Sequence, residues 1–342
     1  DGVPTVPSRW MLRFDALLQG LKLGDALKPD QPWRAWAQSR DEIRNPVSIK
    51  APMPRPPVAI RPRQLSVSDV ETLMANPYAI FAARILKLDA MPDLGAPPDA
   101  SLRGTVVHEA LGRFAKHNPT NLPDDIKDEL LRTAREVLSD FSGDPRVAAF
   151  WLPRFARFAS WFALTEADRR QGIDKVLPEV SGSVVWDAPA GPFTLKARAD
   201  RIDVGTSSVV ITDYKTGASL NALAARAARG EAPQLLLEAV IAAAGGFTHL
   251  DAVKVAALRY ISASGGEPAG KVIEVKTDNV SALAATALAG LEKLIAAFDD
   301  QNTPYAAVRR PRFDYEFDDF AHLARVAEWS GGEADDGEEG AP

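Results

Sequence analysis

An α+β fold, with a mixed but mainly antiparallel sheet flanked by helices, is expected from three observations. Apolar residues recur at helical spacing through much of 65–170. The period then drops to two over 179–215, in three runs joined by turn-rich connections. Beyond residue 219, helical and strand-like stretches alternate.

The elements follow in order. Residues 8–44 read as helical, with Trp10, Leu12, Leu17, Leu18 and Leu21 in a mainly apolar stretch. Residues 46–63 carry six prolines, which lack the N–H that a helix or central strand needs, so a linker or an extended surface segment is expected. A compact domain then begins near Leu65, where Ser68 followed by Glu71 reads as a capping box. A second helix starts near Thr105 and places Val107, Leu111 and Phe114 on one face. More helix is expected over 124–140 and 148–170. Strands follow at 179–187, 193–204 and 208–215, separated by APAG and GTSS turns. Helices at 219–229 and 233–244, strands near 253–262 and 271–276, and a helix at 279–298 complete the pattern. The expected organisation is a helical segment (1–45), a proline-rich linker (46–64), the main domain (65–326) and a disordered acidic tail (327–342).

Composition narrows the chemistry. The 342 residues are 46% hydrophobic and 25% charged, as in soluble globular proteins. No apolar run reaches the roughly 20 residues of a membrane span, and no secretory signal is recognisable at DGVPTVPSRW. With no cysteine, the chain can form neither disulfides nor thiolate metal sites, and a reducing, cytoplasmic setting is expected. The net charge of -6 is concentrated in GGEADDGEEGAP; without its five acids the chain has 41 acids against 40 bases. Such a body is compatible with a local basic groove. No GxxxxGK[ST] phosphate loop is present, so no ATP motor is encoded here.

The informative stretch is TLKARADRIDVGTSSVVITDYKTG. A turn centred on Thr206 and Ser207 pairs Val204 with Val209, and the same register sets Asp200 opposite Asp213. Lys215, two residues further, shares that face with Ile202, Val204, Val209 and Ile211. Two facing carboxylates repel, and a divalent cation removes the conflict. Oxygen donors of this kind suit Mg²⁺ or Mn²⁺. Lys215 can then orient an attacking water, help deprotonate it, or stabilise charge on the phosphate. On spacing alone, a solvated acid pair neutralised by Arg198, Arg201 or Lys215 is the favoured reading over a metal site.

ARADRID (197–203) and DYKTG (213–217), preceded by Gly104 and His108 in RGTVVHEAL, resemble the RecB-like branch of the PD-(D/E)xK nucleases. The resemblance implies a restriction-endonuclease-like core and metal ligation by His108, Asp200, Asp213 and the backbone carbonyl of Tyr214. It also implies that Lys215 is catalytic together with Asp200 and Asp213, and that Gln234 contacts DNA. The family's QxxxY tyrosine position is Glu238 here, so only the glutamine transfers. PSRWMLRFDALL, LSVSDVETLMANPYAIFAARILKL, PQLLLEA and FDDFAHLARVAEW, in that order, are similar to the C-terminal part of the AddB family of helicase–nuclease subunits. That similarity implies a preceding helicase-like domain of which residues 1–45 are the end, an AddA-type partner, unwound or single-stranded DNA as substrate, and digestion of the 5′-ended strand during double-strand-break repair. A non-catalytic module that guides DNA or braces the partner is the alternative. Some AddB proteins hold an iron–sulfur cluster on four cysteines; here no cluster can form, and Asn76 stands at one of those positions.

Individual residues carry competing readings. Glu179 either approaches the metal site or serves at a strand edge, the latter being favoured. Asp203 points away from Asp200 and is expected to pair with an arginine. Arg55, Arg61 and Arg63 are expected on a solvated linker rather than on phosphates.

Overall fold

A computed structural model describes residues 6–24, 32–42, 49–89, 100–141, 145–217, 219–310 and 318–330. The chain divides into two units, 1–49 and 50–342. The first contains helices α1 (Arg9–Gly20) and α2 (Trp33–Asp41). Ser8 caps α1, its hydroxyl accepting from the Met11 N–H. Trp10, Leu12 and Leu17 are exposed on α1.

The second unit is an α+β domain. Its elements are β1 (Gln64–Ser66), α3 (Val67–Ala75), α4 (Pro77–Ile80), α5 (Ala100–His117), α6 (Ile126–Phe141), α7 (Pro145–Arg169), β2 (Ile173–Ala188), β3 (Gly191–Gly205), β4 (Ser208–Lys215), α8 (Leu220–Ala228), α9 (Gln234–Ala243), β5 (Lys254–Ser262), β6 (Lys271–Glu274), α10 (Val280–Asp299) and α11 (Val326–Trp329). β3 organises the six-stranded sheet: β2 lies antiparallel along it, while β1 runs parallel at residues 194–196 and β4 antiparallel at 201–204. β5 joins β4 in parallel and β6 closes the far edge antiparallel. The sheet is mixed, as expected, and it is open.

Strand alternation sends successive side chains to opposite faces, and both faces are covered. Ile202, Val209 and Ile211 pack with Leu235, Leu236 and Leu291 from α9 and α10. Tyr214 and Ile261 face the other way, against Phe114, Leu130, Phe158 and Phe162 of α5, α6 and α7. Each such buried side chain contributes about 1.5–3 kcal/mol. α10 is the described helix long and apolar enough to cross a bilayer, but Leu291, Ile295 and Phe298 bury its inner face in the core.

Three expectations are corrected. The capping box is Ser66 with Asp69, not Ser68 with Glu71: β1 ends at Ser66, whose hydroxyl takes the Asp69 N–H while Asp69 takes the Ser66 N–H. The proline-rich segment is no free linker from Lys50 onward. Prolines lack N–H groups but keep carbonyls, and Pro52 and Pro54 accept from Ala307 and Tyr305. Arg61 is 3% exposed and donates to the carbonyls of Pro56, Phe298, Asp300 and Gln301. Finally, residues 326–329 form a helical turn, α11, where the acidic tail was expected to begin. Residues 331–342 of that tail lie outside the described residues.

Candidate active site

The β3–β4 hairpin has the expected register, running from Val204↔Val209 to Arg201↔Thr212. There the ladder stops, one residue before the two acids. Instead of a ladder pair, Asp200 turns an oxygen onto the backbone of the opposite strand, and the Tyr214 N–H donates to its Oδ2 at 2.9 Å. Its other oxygen, Oδ1, is 3.2 Å from His108 Nδ1 on α5. One carboxylate thus joins β3, β4 and α5.

Glu179 enters from β2. Pro178 pairs with Arg201 and Val180 with Ala199, so Glu179 occupies the register position opposite Asp200. Its φ is +50°, a left-handed conformation seldom adopted by a non-glycine residue and costly within a strand. Strain of this kind is concentrated at functional sites. The carboxylate is 2.8 Å from Arg198 Nε. Gly112 makes room for it, because a Cβ there would lie 2.9 Å from Glu179 Cγ. The strand-edge role favoured for Glu179 therefore omitted its contribution: His108, Glu179 and Asp200 present donor atoms all within 4.8 Å of one another.

Asp213, 2% exposed, sits beside this cluster on β4. Its Oδ1 accepts from Lys215 Nζ at 2.9 Å and from Gln234 Nε2 at 2.8 Å. Its Oδ2 is buried with no hydrogen-bond partner. Gln234, at the start of α9, also takes a 3.4 Å contact from Lys215 on its Oε1. Glu238, one helical turn on, accepts from Gln234 Nε2 at 3.3 Å and is wholly buried. The expected assignment of Gln234 to DNA did not include this amide bridge between Asp213 and Lys215. Glu238 was set aside as a mismatch, although its i, i+4 spacing from Gln234 carried the signal.

The charges are mutually tuned. Burial and the Asp200 carboxylate push Glu179 up to about 7. Burial and Asp200 also raise Asp213, to about 6, against the pull of Lys215. Burial opposes charge on His108, but the hydrogen bond and charge of Asp200 leave it above its ordinary value. Burial likewise opposes charge on Lys215, yet Asp213 prevails and keeps the ammonium protonated. Glu238 is raised well above its ordinary value by burial and by Asp213 and Asp200.

Behind the site, Arg201 is buried and placed 2.8 Å from Glu166 of α7 and 2.6 Å from Asp203. Its Nη1 also donates to the Tyr214 hydroxyl at 3.3 Å. Asp203 thus pairs with an arginine on the face away from Asp200. The same network removes Arg201 from the set of groups that can neutralise the two acids.

A crowded set of carboxylates and one imidazole, with an orphaned oxygen on Asp213, fits a hard divalent cation. His108, Glu179 and Asp200 offer clustered donors, and the unpartnered Asp213 Oδ2 is a further one. The chain can form no cysteine-ligated cluster.

An uncharacterized protein of Rickettsia bellii is 28% identical over 187 residues, covering 54% of this chain and 22% of that protein. One from Rickettsia felis is 26% identical over 191 residues, again 54% and 22%. The chain therefore matches less than a quarter of the length of these relatives. The crystal structure of SSO0001 aligns at 10% identity over 85% of this chain and 92% of that one, with a TM-score of 0.32. The family model of the PD-(D/E)XK nuclease superfamily matches residues 64–312, the stretch that holds the sheet and every residue of the site, and the chain belongs to that superfamily.

Proposed function

We propose that this chain is a metal-dependent deoxyribonuclease that hydrolyses DNA phosphodiesters at the His108–Glu179–Asp200–Asp213–Lys215 site. The observation that carries this reading is the cluster of two carboxylates and an imidazole, His108, Glu179 and Asp200, beside Asp213 and the lysine that Asp213 keeps protonated. His108, Glu179, Asp200, Asp213 and the Tyr214 carbonyl would hold Mg²⁺ or Mn²⁺, which supplies Lewis-acid polarisation of the phosphodiester and a more acidic attacking water.

The chain's own groups have distinct tasks. The Lys215 ammonium donates to a non-bridging phosphate oxygen as negative charge develops there. Because Asp213 keeps it protonated, it serves as a donor rather than as a base. Gln234 holds Asp213 and Lys215 at fixed separation through one amide. The Tyr214 N–H and His108 fix the orientation of Asp200.

The sequence similarity to AddB supports a narrower role. In it, the domain digests the 5′-ended strand in the cytoplasm while an AddA-type partner unwinds a broken end. The test is cleavage of single-stranded DNA labelled at either end, with Mg²⁺ or EDTA, by the chain alone and with that partner. Metal-dependent release of label from the 5′ end supports the full reading. Release from the 3′ end alone rejects the strand assignment, and no cleavage in either format favours a module that guides DNA.

A further inference from the structure

A groove of about 690 Å³ opens beside Glu179, between α5 and the outer side of β2. Its volume lies within the range of about 300–1,000 Å³ typical of ligand clefts. One wall is α5, which presents Arg113, Lys116 and His117; the other is the 245–250 turn, which presents Thr248 and His249. Arg198 stands at the end next to Glu179.

The walls are built rather than incidental. The turn is pinned to β2 by Ser183 N–H donating to the Gly246 carbonyl and by the Thr248 N–H and hydroxyl both donating to the Ser181 carbonyl. Phe247 is buried beneath it. Gly246 allows the close approach, since a Cβ there would lie 2.2 Å from the Ser183 carbonyl oxygen. His249 is thereby held exposed at φ +63° over the groove. On the opposite wall Gly112 admits Glu179, the one residue that both lines the groove and belongs to the acid cluster among the described residues.

Charge identifies the occupant. Arg113 is engaged by Glu109 and Asp140 but remains 34% exposed, and Arg198 is engaged by Glu179 but 63% exposed. Lys116 is exposed and has no ion-pair partner among the described residues. Cations spaced along a groove that ends at a phosphodiester-cleaving site suit a chain of phosphates. Among the described residues no phenylalanine, tyrosine or tryptophan lines the groove, so its cations make phosphates the principal contact. We infer that the α5–β2 groove seats the sugar–phosphate backbone of the single strand next to the scissile phosphate, with Arg113 and Lys116 on phosphates and Arg198 handed from Glu179 to the DNA. This rests on the nuclease reading, but its test reads binding rather than cleavage.

The experiment is fluorescence anisotropy of a labelled oligothymidylate with Ca²⁺ as the only divalent ion, titrated at several salt concentrations. The parent is compared with Lys116→Ala, with Arg113→Ala/Lys116→Ala, and with a control of equal charge change outside the groove, Lys276→Ala/Lys293→Ala. Each lost phosphate contact lowers the slope of log K against log salt by about 0.7, so the groove pair is expected to lose about 1.4 and Lys116→Ala alone about half of that. The control pair keeps the parental slope, and an oligoadenylate gives the same ranking because backbone contacts carry no sequence. A groove pair with the parental slope and affinity overturns the assignment, as does a parent that does not bind. Either result leaves the dependence of cleavage on Asp213 and Lys215 to be judged separately.

Discussion

Replacing Glu179 by Gln separates the electrostatic burden of the site from its function. Burial and the facing Asp200 carboxylate raise the Glu179 carboxyl from 4.5 to about 7. Between those values the folded chain holds a proton that the unfolded chain has released. Linkage then requires the metal-free protein to lose stability as pH rises from about 4.5 to about 7, and to level off above. A displacement of that size corresponds to about 3 kcal/mol. The side chain is 22% exposed, and solvent screening reduces the contribution to about 1–2 kcal/mol. Asp213, raised to about 6 by burial, slopes the same way, so the informative quantity is the difference between parent and variant. Urea unfolding in EDTA at about pH 4 and about pH 8, on either side of the window, measures it. Glu179→Gln is expected to match the parent at the lower pH and exceed it by about 1–2 kcal/mol at the higher. Added Mn²⁺ is expected to reverse the order at the higher pH, since the parent alone offers the full donor set. Equal differences at both pH values would refute the reasoning.

Three further outcomes follow from packing and charge. Gly112→Ala drives a methyl to 2.9 Å from Glu179 Cγ and displaces that carboxylate, so Mn²⁺ affinity measured by calorimetry should fall about tenfold. Arg201→Met leaves Glu166 and Asp203 buried without their shared cation and should cost about 3–5 kcal/mol in urea unfolding. Phe114→Ala empties a fully buried position packed edge-on against Phe162 and should cost about 3–5 kcal/mol, while a domain kept folded at low temperature retains its metal affinity.

The hairpin was legible because a tight turn and strict alternation fix a register, and Val204↔Val209 carries through to Arg201↔Thr212. Its end was not legible. Whether two acids face each other or one captures a backbone N–H depends on how the strands part, and the Tyr214 N–H to Asp200 bond is a tertiary outcome. Glu179 was named as a candidate but not favoured for a related reason: alternation describes extended residues, and a positive φ in mid-strand leaves no mark in composition. The capping error arose because Ser66/Asp69 and Ser68/Glu71 have the same spacing, and only the end of β1 chooses between them. The proline-rich segment misled because prolines exclude donors, whereas its carbonyls are what the 302–307 stretch and Arg61 use. The Gln234–Glu238 pair was within reach, since helical spacing alone stacks them.

The most direct test of the account is single-turnover cleavage of labelled single-stranded DNA by the parent, Asp213→Ala and Lys215→Ala, run beside Mn²⁺ binding to each. Lys215→Ala is expected to bind the ion yet cleave about 10²–10³-fold more slowly, and Asp213→Ala to lose both binding and cleavage. Parental cleavage rates in both variants would contradict the assignment of this site.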